Sequence, residues 1–468
     1  LSYSLLYYFP AALVGNEALT LLAVVVAAAL FASVVERQWG DRARYAALAF
    51  AVVAAGPLFT GTYPYALGVA TLLGALASLQ RRMTWLAVVL AAATLGASPL
   101  AFLFLGVLLA AVFLARPRLD RRSLTVGGAL ALLGLFQGAL LVLFPFDGRY
   151  PFIRYSELFV VVALALVCVT LALRAPDGRV VVWIFALWAI VSVIAFVVPS
   201  PIGENVTRLR GVVLPLALLA VALARWRPWP LAALAVAGAL AYTIVPYVAV
   251  IPYRTDGRPP SEAFWSPALS FLRAHADPNY RVEVVPTVDH WESYWLPHSG
   301  FPLARGWYRQ VDIAENPLFY EKPLRGGAYR RWLRSRGVRY VLLPHTRLGR
   351  VGEKREGSLL RSAGSGLKLV FRAATGTVYE LPHPTPILSG PGSARLSLVG
   401  HERVAGRVEA PGDYRLAVRW TPTWRVEGGQ VCVREAEDGM TTVEARRAGA
   451  FMLGVGIPGR GGCPATSS

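Results

Sequence analysis

Residues 83–115 read MTWLAVVLAAATLGASPLAFLFLGVLLAAVFLA, and whether they form one helix or two decides the fold. A single helix would run about 50 Å at 1.5 Å per residue, too long for one passage through a hydrocarbon core of about 30 Å. The Gly96-Ala97-Ser98-Pro99 step lies in the middle, and glycine and proline punctuate helices. Two helices meeting at Ser98–Pro99 are expected.

Similar apolar runs continue on both sides. A span needs about 20 apolar residues, and ten candidates emerge: 18–35, 42–60, 63–80, 83–96, 99–115, 123–144, 157–174, 180–198, 211–225 and 229–251. Charge placement tests this count independently. Arginine-rich connections (Arg37/Arg42/Arg44, Arg81/Arg82, Arg116/Arg118/Arg121/Arg122, Arg174/Arg179, Arg225/Arg227) alternate with weaker ones, 13 arginines against 4. Cytoplasmic loops carry the Lys/Arg excess, so the basic set is expected inside. The chain start and everything after residue 251 are then expected outside. Leu1 follows no basic n-region, so an upstream segment is expected to precede it.

Composition agrees with a two-part chain. The 468 residues are 55% hydrophobic and only 16% charged, with mean hydropathy +0.48, too apolar for an ordinary soluble enzyme. The first 251 residues carry 17 Lys/Arg and 8 Asp/Glu; the last 217 carry 30 and 20. We read an α-helical polytopic membrane domain (1–251), an extracytoplasmic α/β domain (252–345) and an antiparallel β-sandwich-like domain (346–468). In the second part, PSEAFWSPALSFLRAHA and GAYRRWLRSRG are helical in pattern, RVEVVPT and VRYVLLP strand-like. From 365 onward short alternating segments, LKLVFRA and GTVYELP first, are assigned to the sandwich.

The net charge of +19 is shared between orientation signals and the second part, which argues against nucleic acid as partner. Cys432 and Cys463 can pair if that part lies outside the cytosol; Cys168 lies in an apolar run. No HxxxH, HExxH or Cys/His pair is present, so no His-ligated metal is expected. Walker, GxGxxG and GxSxG motifs are also missing.

The expected outer surface collects a short set of groups. Glu17 precedes the first span, and Tyr63 and Tyr65 follow the second. Asp147, Arg149, Arg154, Tyr155 and Glu157 lie in loop 145–157, and Glu204, Asn205, Arg208 and Arg210 in GENVTRLR. Asn205 and Arg208 are three residues apart and share a face on a helix start. A guanidinium beside an amide suits a phosphate, because it offers paired donors in one plane. The competing readings are structural: interfacial belt tyrosines, an ordinary turn at Asp147–Arg149, and a helix-terminus acid at Glu17. His290 lies in an aromatic segment that suits either a carbohydrate surface or packing against a membrane.

TGTYPYALG, ASPLAFLFL, GENVTRL, and HWESYWLP followed by FPLARGWYRQVDIAENPLFY resemble bacterial integral-membrane glycosyltransferases of the GT-C type. Some members are labelled 6-pyruvoyl-tetrahydropterin synthase-related, although no His-triad spacing supports pterin chemistry. The resemblance implies sugar transfer from a polyprenyl-phosphate donor to a cell-envelope glycan or lipid acceptor, on the outer face of the plasma membrane. It allows a divalent cation as cofactor. It places an acidic catalytic residue in a first outer loop, which on this register precedes Leu1, so the base is unassigned among Glu17, Asp147 and Glu204. Arg208 and Asn205 become donor-phosphate contacts, with Tyr63, Tyr65, Arg149 and His290 as further substrate contacts. The alternatives are a non-catalytic envelope scaffold, a glycan-binding membrane protein and, less favoured, a lipid-linked glycan transporter. A transporter would carry charges inside several spans.

Overall fold

Ser98 ends one helix and starts the next. Its backbone is extended, its side chain accepts from Ala101 N at 3.3 Å, and Pro99 takes the first helical position, where its missing N–H costs nothing. The computed structural model describes residues 4–117, 119–144, 150, 155–249, 260–320, 323–349, 352–456 and 460–463. They divide into two units, Leu1–Thr255 and Asp256–Ser468.

The first unit is helical: α1 (Tyr8–Val14), α2 (Asn16–Trp39), α3 (Arg44–Val53), α4 (Gly56–Thr60), α5 (Tyr63–Gln80), α6 (Thr84–Ala97), α7 (Pro99–Ala115), α8 (Arg121–Leu143), α9 (Tyr155–Ala172), α10 (Arg179–Val197), α11 (Arg210–Leu223) and α12 (Trp229–Val248). A 3-10 turn, Gly203–Leu209, precedes α11. The chain reverses at Gly40, so that Phe31 of α2 stacks on Phe50 of α3 at 4.2 Å between centroids.

Helix length does not support ten spans. Among the described residues six helical segments are long and apolar enough to cross a membrane: Asn16–Thr60, Arg121–Leu143, Tyr155–Ala172, Arg179–Val197, Gly203–Leu223 and Trp229–Val248. The break at Ser98 leaves α6 with 14 residues and α7 with 17, about 21 and 26 Å. α5 opens on Tyr-Pro-Tyr and ends on Gln, and is not among the six. Many large apolar side chains face outward, Leu13, Leu132, Leu135, Val142 and Phe159 among them, and α8 buries no residue. Lipid covers such a surface at no cost, whereas water does not.

The arginine-bearing helix ends gather at one end of this bundle. Arg42 lies 3.7 Å from Asp177, to whose carbonyl Trp39 Nε1 donates at 3.0 Å. Gln80 and Arg81 donate to Val34 O and Ser33 Oγ. Arg122 donates to Thr84 Oγ1 and Leu79 O. The other end of α5 carries Tyr65, whose hydroxyl donates to Arg208 O at 3.3 Å. The polar edge 203–210 therefore sits at the end of α5 opposite Gln80 and Arg81.

The second unit begins with α13 (Glu262–His275), amphipathic and packed through Phe264, Trp265, Leu269 and Leu272. Strands β1 (Arg281–Val284) and β2 (Val338–Pro344) pair in parallel. Between them lie α14 (Glu292–His298), α15 (Arg309–Glu315) and α16 (Gly326–Ser335), and α17 (Gly352–Arg361) follows β2. The sequence boundary at 345 is displaced. β3 (Lys368–Ala373) and β4 (Gly376–Glu380) belong to this α/β sheet, in the order β1-β2-β4-β3, and not to the later sheets. β2 is buried along nearly its whole length, so its second edge needs a partner, and β4 supplies it. Alternation of side chains identifies a strand but not its neighbour.

The remaining strands, β5 (Leu388–Ser389), β6 (Ala394–Val399), β7 (Arg403–Val408), β8 (Gly412–Arg419), β9 (Trp424–Gly428), β10 (Val431–Glu435), β11 (Met440–Ala445) and β12 (Gly449–Val455), form two antiparallel sheets, β10-β11-β8-β5 and β6-β7-β12-β9, among the described residues. Tyr414, Leu416 and Val433 of one share a core with Leu396, Phe451 and Leu453 of the other. Arg281 Nη1 donates to Arg336 O and Ala417 O, at 2.8 and 2.6 Å, tying the α/β layer to these sheets. Burial, with Arg336 and Arg415 nearby, lowers its pKa to about 10.

Candidate functional site

The polar edge of the helical unit is built from the 3-10 turn outward. Gly203 adopts φ +41°, and a Cβ there would overlap Tyr150 O; only glycine lets the two backbones approach so closely. Thr207 Oγ1 then donates to Glu204 O at 2.8 Å and accepts from Arg210 Nη2 at 2.7 Å, while Arg210 Nε donates to Thr207 O at 3.1 Å. These bonds fold the Arg210 guanidinium back over the turn. Thr243 of α12 holds Arg210 O at 3.0 Å.

Four helices converge around that guanidinium. Arg210 Nη2 lies 3.6 Å from Glu157 Oε2 of α9, an ion pair without a hydrogen bond. Its Cζ sits 5.0 Å from the ring centroid of Tyr242 on α12, and Tyr242 lies 6.0 Å from Trp188 of α10. Ser192 is one turn further along α10. Four polar atoms of this group, Glu157 Oε2, Tyr242 OH, Trp188 Nε1 and Ser192 Oγ, are buried without a hydrogen-bond partner among the described residues. An unpaired buried polar atom costs about 1–3 kcal/mol, so such a concentration is a feature that apolar packing alone does not account for. With Arg210 present, donors outnumber acceptors.

Of the residues singled out in the sequence, Tyr65 and Arg208 are brought together across 143 positions. The side chains of Asn205 and Arg208 are half-buried on the same turn and make no hydrogen bond or ion pair among the described residues. Glu204 is half-buried beside them. Tyr63 instead packs on Tyr7, Ala11 and Leu19, and Glu17 is exposed in the first turn of α2. Asp147, Arg149 and Arg154 lie outside the described residues. Tyr242, Trp188 and Ser192 were not singled out; each sits inside an apolar run, where the only signal was a hydrogen-bonding side chain facing no water.

In the second unit His290 stands where the chain leaves β1. Its Nδ1 lies 3.1 Å from Glu292 Oε1, and Glu292 Oε2 accepts from Thr287 N and Oγ1, at 3.2 and 2.7 Å. The segment is held beside the end of β2 by Val288 N, which donates to Arg347 O at 3.1 Å. His345 is satisfied by Ala374 O and Thr377 Oγ1, a structural arrangement.

A second feature absent from the sequence reading is the surroundings of Arg305. Its Nε donates to Glu283 Oε1 at 2.8 Å, its Nη2 bonds Glu356, and its Nη1 lies 3.6 Å from Asp312 Oδ2. Tyr329 OH donates to Glu356 Oε1 at 2.6 Å, and Tyr320 OH donates to Asp312. Phe319 covers the guanidinium at 3.9 Å from its centroid. One cation faces three carboxylates inside the protein. Burial, helped by Glu356 and Asp312 and opposed by Arg305, pushes the Glu283 carboxyl well above the usual range; burial likewise raises Glu356 and Tyr329. The group fastens α15, α16 and α17 to β1 and is sealed from solvent, so it reads as structural.

Cys432 and Cys463 are joined as a disulfide and Cys168 is a buried free thiol. Among the described residues the one constellation with three ligand atoms close together is Cys432, Glu444 and Cys463, and its sulfurs are bonded to each other. The described residues therefore offer no fitting set for a divalent cation. Comparison with protein-family models, with curated proteins and with solved structures finds no match to this chain.

Proposed function

We propose that the helical unit is embedded in a membrane, that its polar edge binds the phosphate of a lipid-linked substrate, and that the protein is a GT-C-like glycosyltransferase using a polyprenyl-phosphate sugar. The observation that carries the reading is the donor-rich group around Arg210, with Tyr242, Trp188 and Ser192 buried and unpaired. Phosphate oxygens accept from several donors at once, and a guanidinium meets them through two parallel N–H groups. Arg208 and Asn205 lie on the same turn, at the rim.

Collection of Arg42, Arg81 and Arg122 at the opposite helix ends supports an orientation with that end cytoplasmic. The Arg210 end and the second unit then face the extracytoplasmic side, where an envelope acceptor is found. In sugar transfer negative charge grows on the departing phosphate oxygens. Fixed donors in a water-poor site stabilise that charge more than water does. Glu157 is a carboxylate 3.6 Å from Arg210 and balances its charge.

The test uses the whole chain in lipid nanodiscs with an undecaprenyl phosphate probe, read by native mass spectrometry. Wild-type protein is expected to retain the probe, and Arg210→Gln to lose at least tenfold in affinity. Equal retention by both proteins contradicts the site. Retention without sugar transfer from a polyprenyl-phosphate sugar leaves lipid binding in place and removes the transferase reading.

A further inference from the structure

Independently of the lipid-phosphate reading, we propose that the second unit carries a saccharide-binding site at the carboxyl end of β1, formed by Trp307 and the His290–Glu292 pair. β1 and β2 are the parallel pair of this sheet, and the residues beyond the carboxyl end of β1 are built rather than merely exposed. Glu292 is 3% exposed, and its Oε2 is pinned by two Thr287 donors. Those two donors occupy Oε2 and leave Oε1 as the oxygen that faces His290. Nδ1 faces that oxygen at 3.1 Å and donates to it. In the neutral imidazole Nε2 is then the acceptor, and it has no hydrogen-bond partner among the described residues.

Beside that acceptor stands an indole. Trp307 is 57% exposed, and its ring lies 6.2 Å from the imidazole, tilted by 43°. Tyr308 supports Trp307 from behind in an edge contact at 5.6 Å. His290 holds φ +57°, a left-handed conformation that costs energy for a side chain of this size and that sets the imidazole at this edge. An exposed aromatic face with an aligned hydrogen-bond acceptor at its border matches a pyranose ring. The positive C–H face of the sugar lies on the negative π face, and a hydroxyl at its edge donates to Nε2. A belt residue buried in lipid needs no such acceptor at its border.

The experiment uses the full chain in nanodiscs with free maltotriose and chitotriose as probes, followed by saturation-transfer NMR and tryptophan fluorescence. At least one probe is expected to bind saturably. Trp307→Ala should weaken it at least tenfold and His290→Ala at least threefold, with Tyr294→Ala, outside the pair, without effect. Glu292→Gln should shift the imidazole tautomer in 15N spectra of His290 and weaken binding; Trp307→Phe, which keeps an exposed ring, should retain most of it. Failure of both sugars to bind, or binding indifferent to Trp307→Ala, overturns the proposal. So does loss in Trp307→Phe of quenching by brominated lipids, because that places the wild-type indole in the bilayer.

Discussion

Tyr242 lies beneath Arg210, its ring centroid 5.0 Å from the guanidinium carbon, and its hydroxyl is buried without a partner among the described residues. The contact favours the cation while the hydroxyl next to it is left uncompensated. That imbalance is the observation on which the proposed phosphate site rests.

Tyr242→Phe separates the two effects. The ring and its contact with Arg210 persist, and the unpaired hydroxyl is removed. The unliganded protein is expected to gain about 1 kcal/mol of stability while its affinity for undecaprenyl phosphate falls. Thermal unfolding with and without the probe measures both. A loss of stability in the unliganded variant would show that the hydroxyl is already satisfied.

Arg305 makes a contrasting case in the second unit. Removing one partner of a buried ionic group leaves charge uncompensated, at a cost of about 3–5 kcal/mol. Arg305→Met should reduce the stability of the second unit by that amount. Adding Glu283→Gln and Glu356→Gln, which remove two of the three carboxylates, should recover most of it. Hydrogen exchange of β1 peptides in the intact chain reports the change.

The same group sets a pH dependence. Glu283 and Glu356 bind protons more tightly folded than unfolded, chiefly through burial. Their contribution is fully present below the ordinary glutamate range and is lost as pH rises through the raised folded values. Exchange protection of β1 should therefore fall as pH is raised, and Glu283→Gln should flatten the profile. Protection that grows with pH would reverse the sign of this account.

The disulfide closes a separation of 31 residues, and constraint of the unfolded chain on that scale contributes about 2–4 kcal/mol. Reduction, or Cys432→Ser with Cys463→Ser, should lower the unfolding midpoint of the β10-β11-β8-β5 sheet and leave exchange of α9 and α10 unchanged. A matching change in α9 and α10 would mean that the two units unfold together.

Features with a local cause were legible in the sequence. Ser98–Pro99 ends a helix by cap chemistry and a missing N–H, so the break could be read without any neighbour. The paired cysteines and the aromatic segment around His290 were visible for similar reasons. Span count was not, because apolar runs mark candidate helices while the 14 residues of α6 fall short of a bilayer. The boundary at 345 failed because β4 owes its place to the bare edge of β2, a contact made across more than thirty residues. Tyr65 and Arg208 could be named singly, yet their meeting depends on the packing of α5 against the turn before α11. Arg305 was hidden in a segment of low periodicity, since three carboxylates from separate elements converge only after folding.

The central claim is that the Arg210 edge faces the side of the membrane opposite the arginine-bearing helix ends. Single cysteines at Ile202 and Arg82, both exposed and placed at the two ends, can be labelled in intact cells with a membrane-impermeant thiol reagent. In a background with Cys168→Ala and the disulfide intact, Ile202→Cys is expected to label directly and Arg82→Cys only after permeabilisation. Labelling of both from the same side would contradict the account.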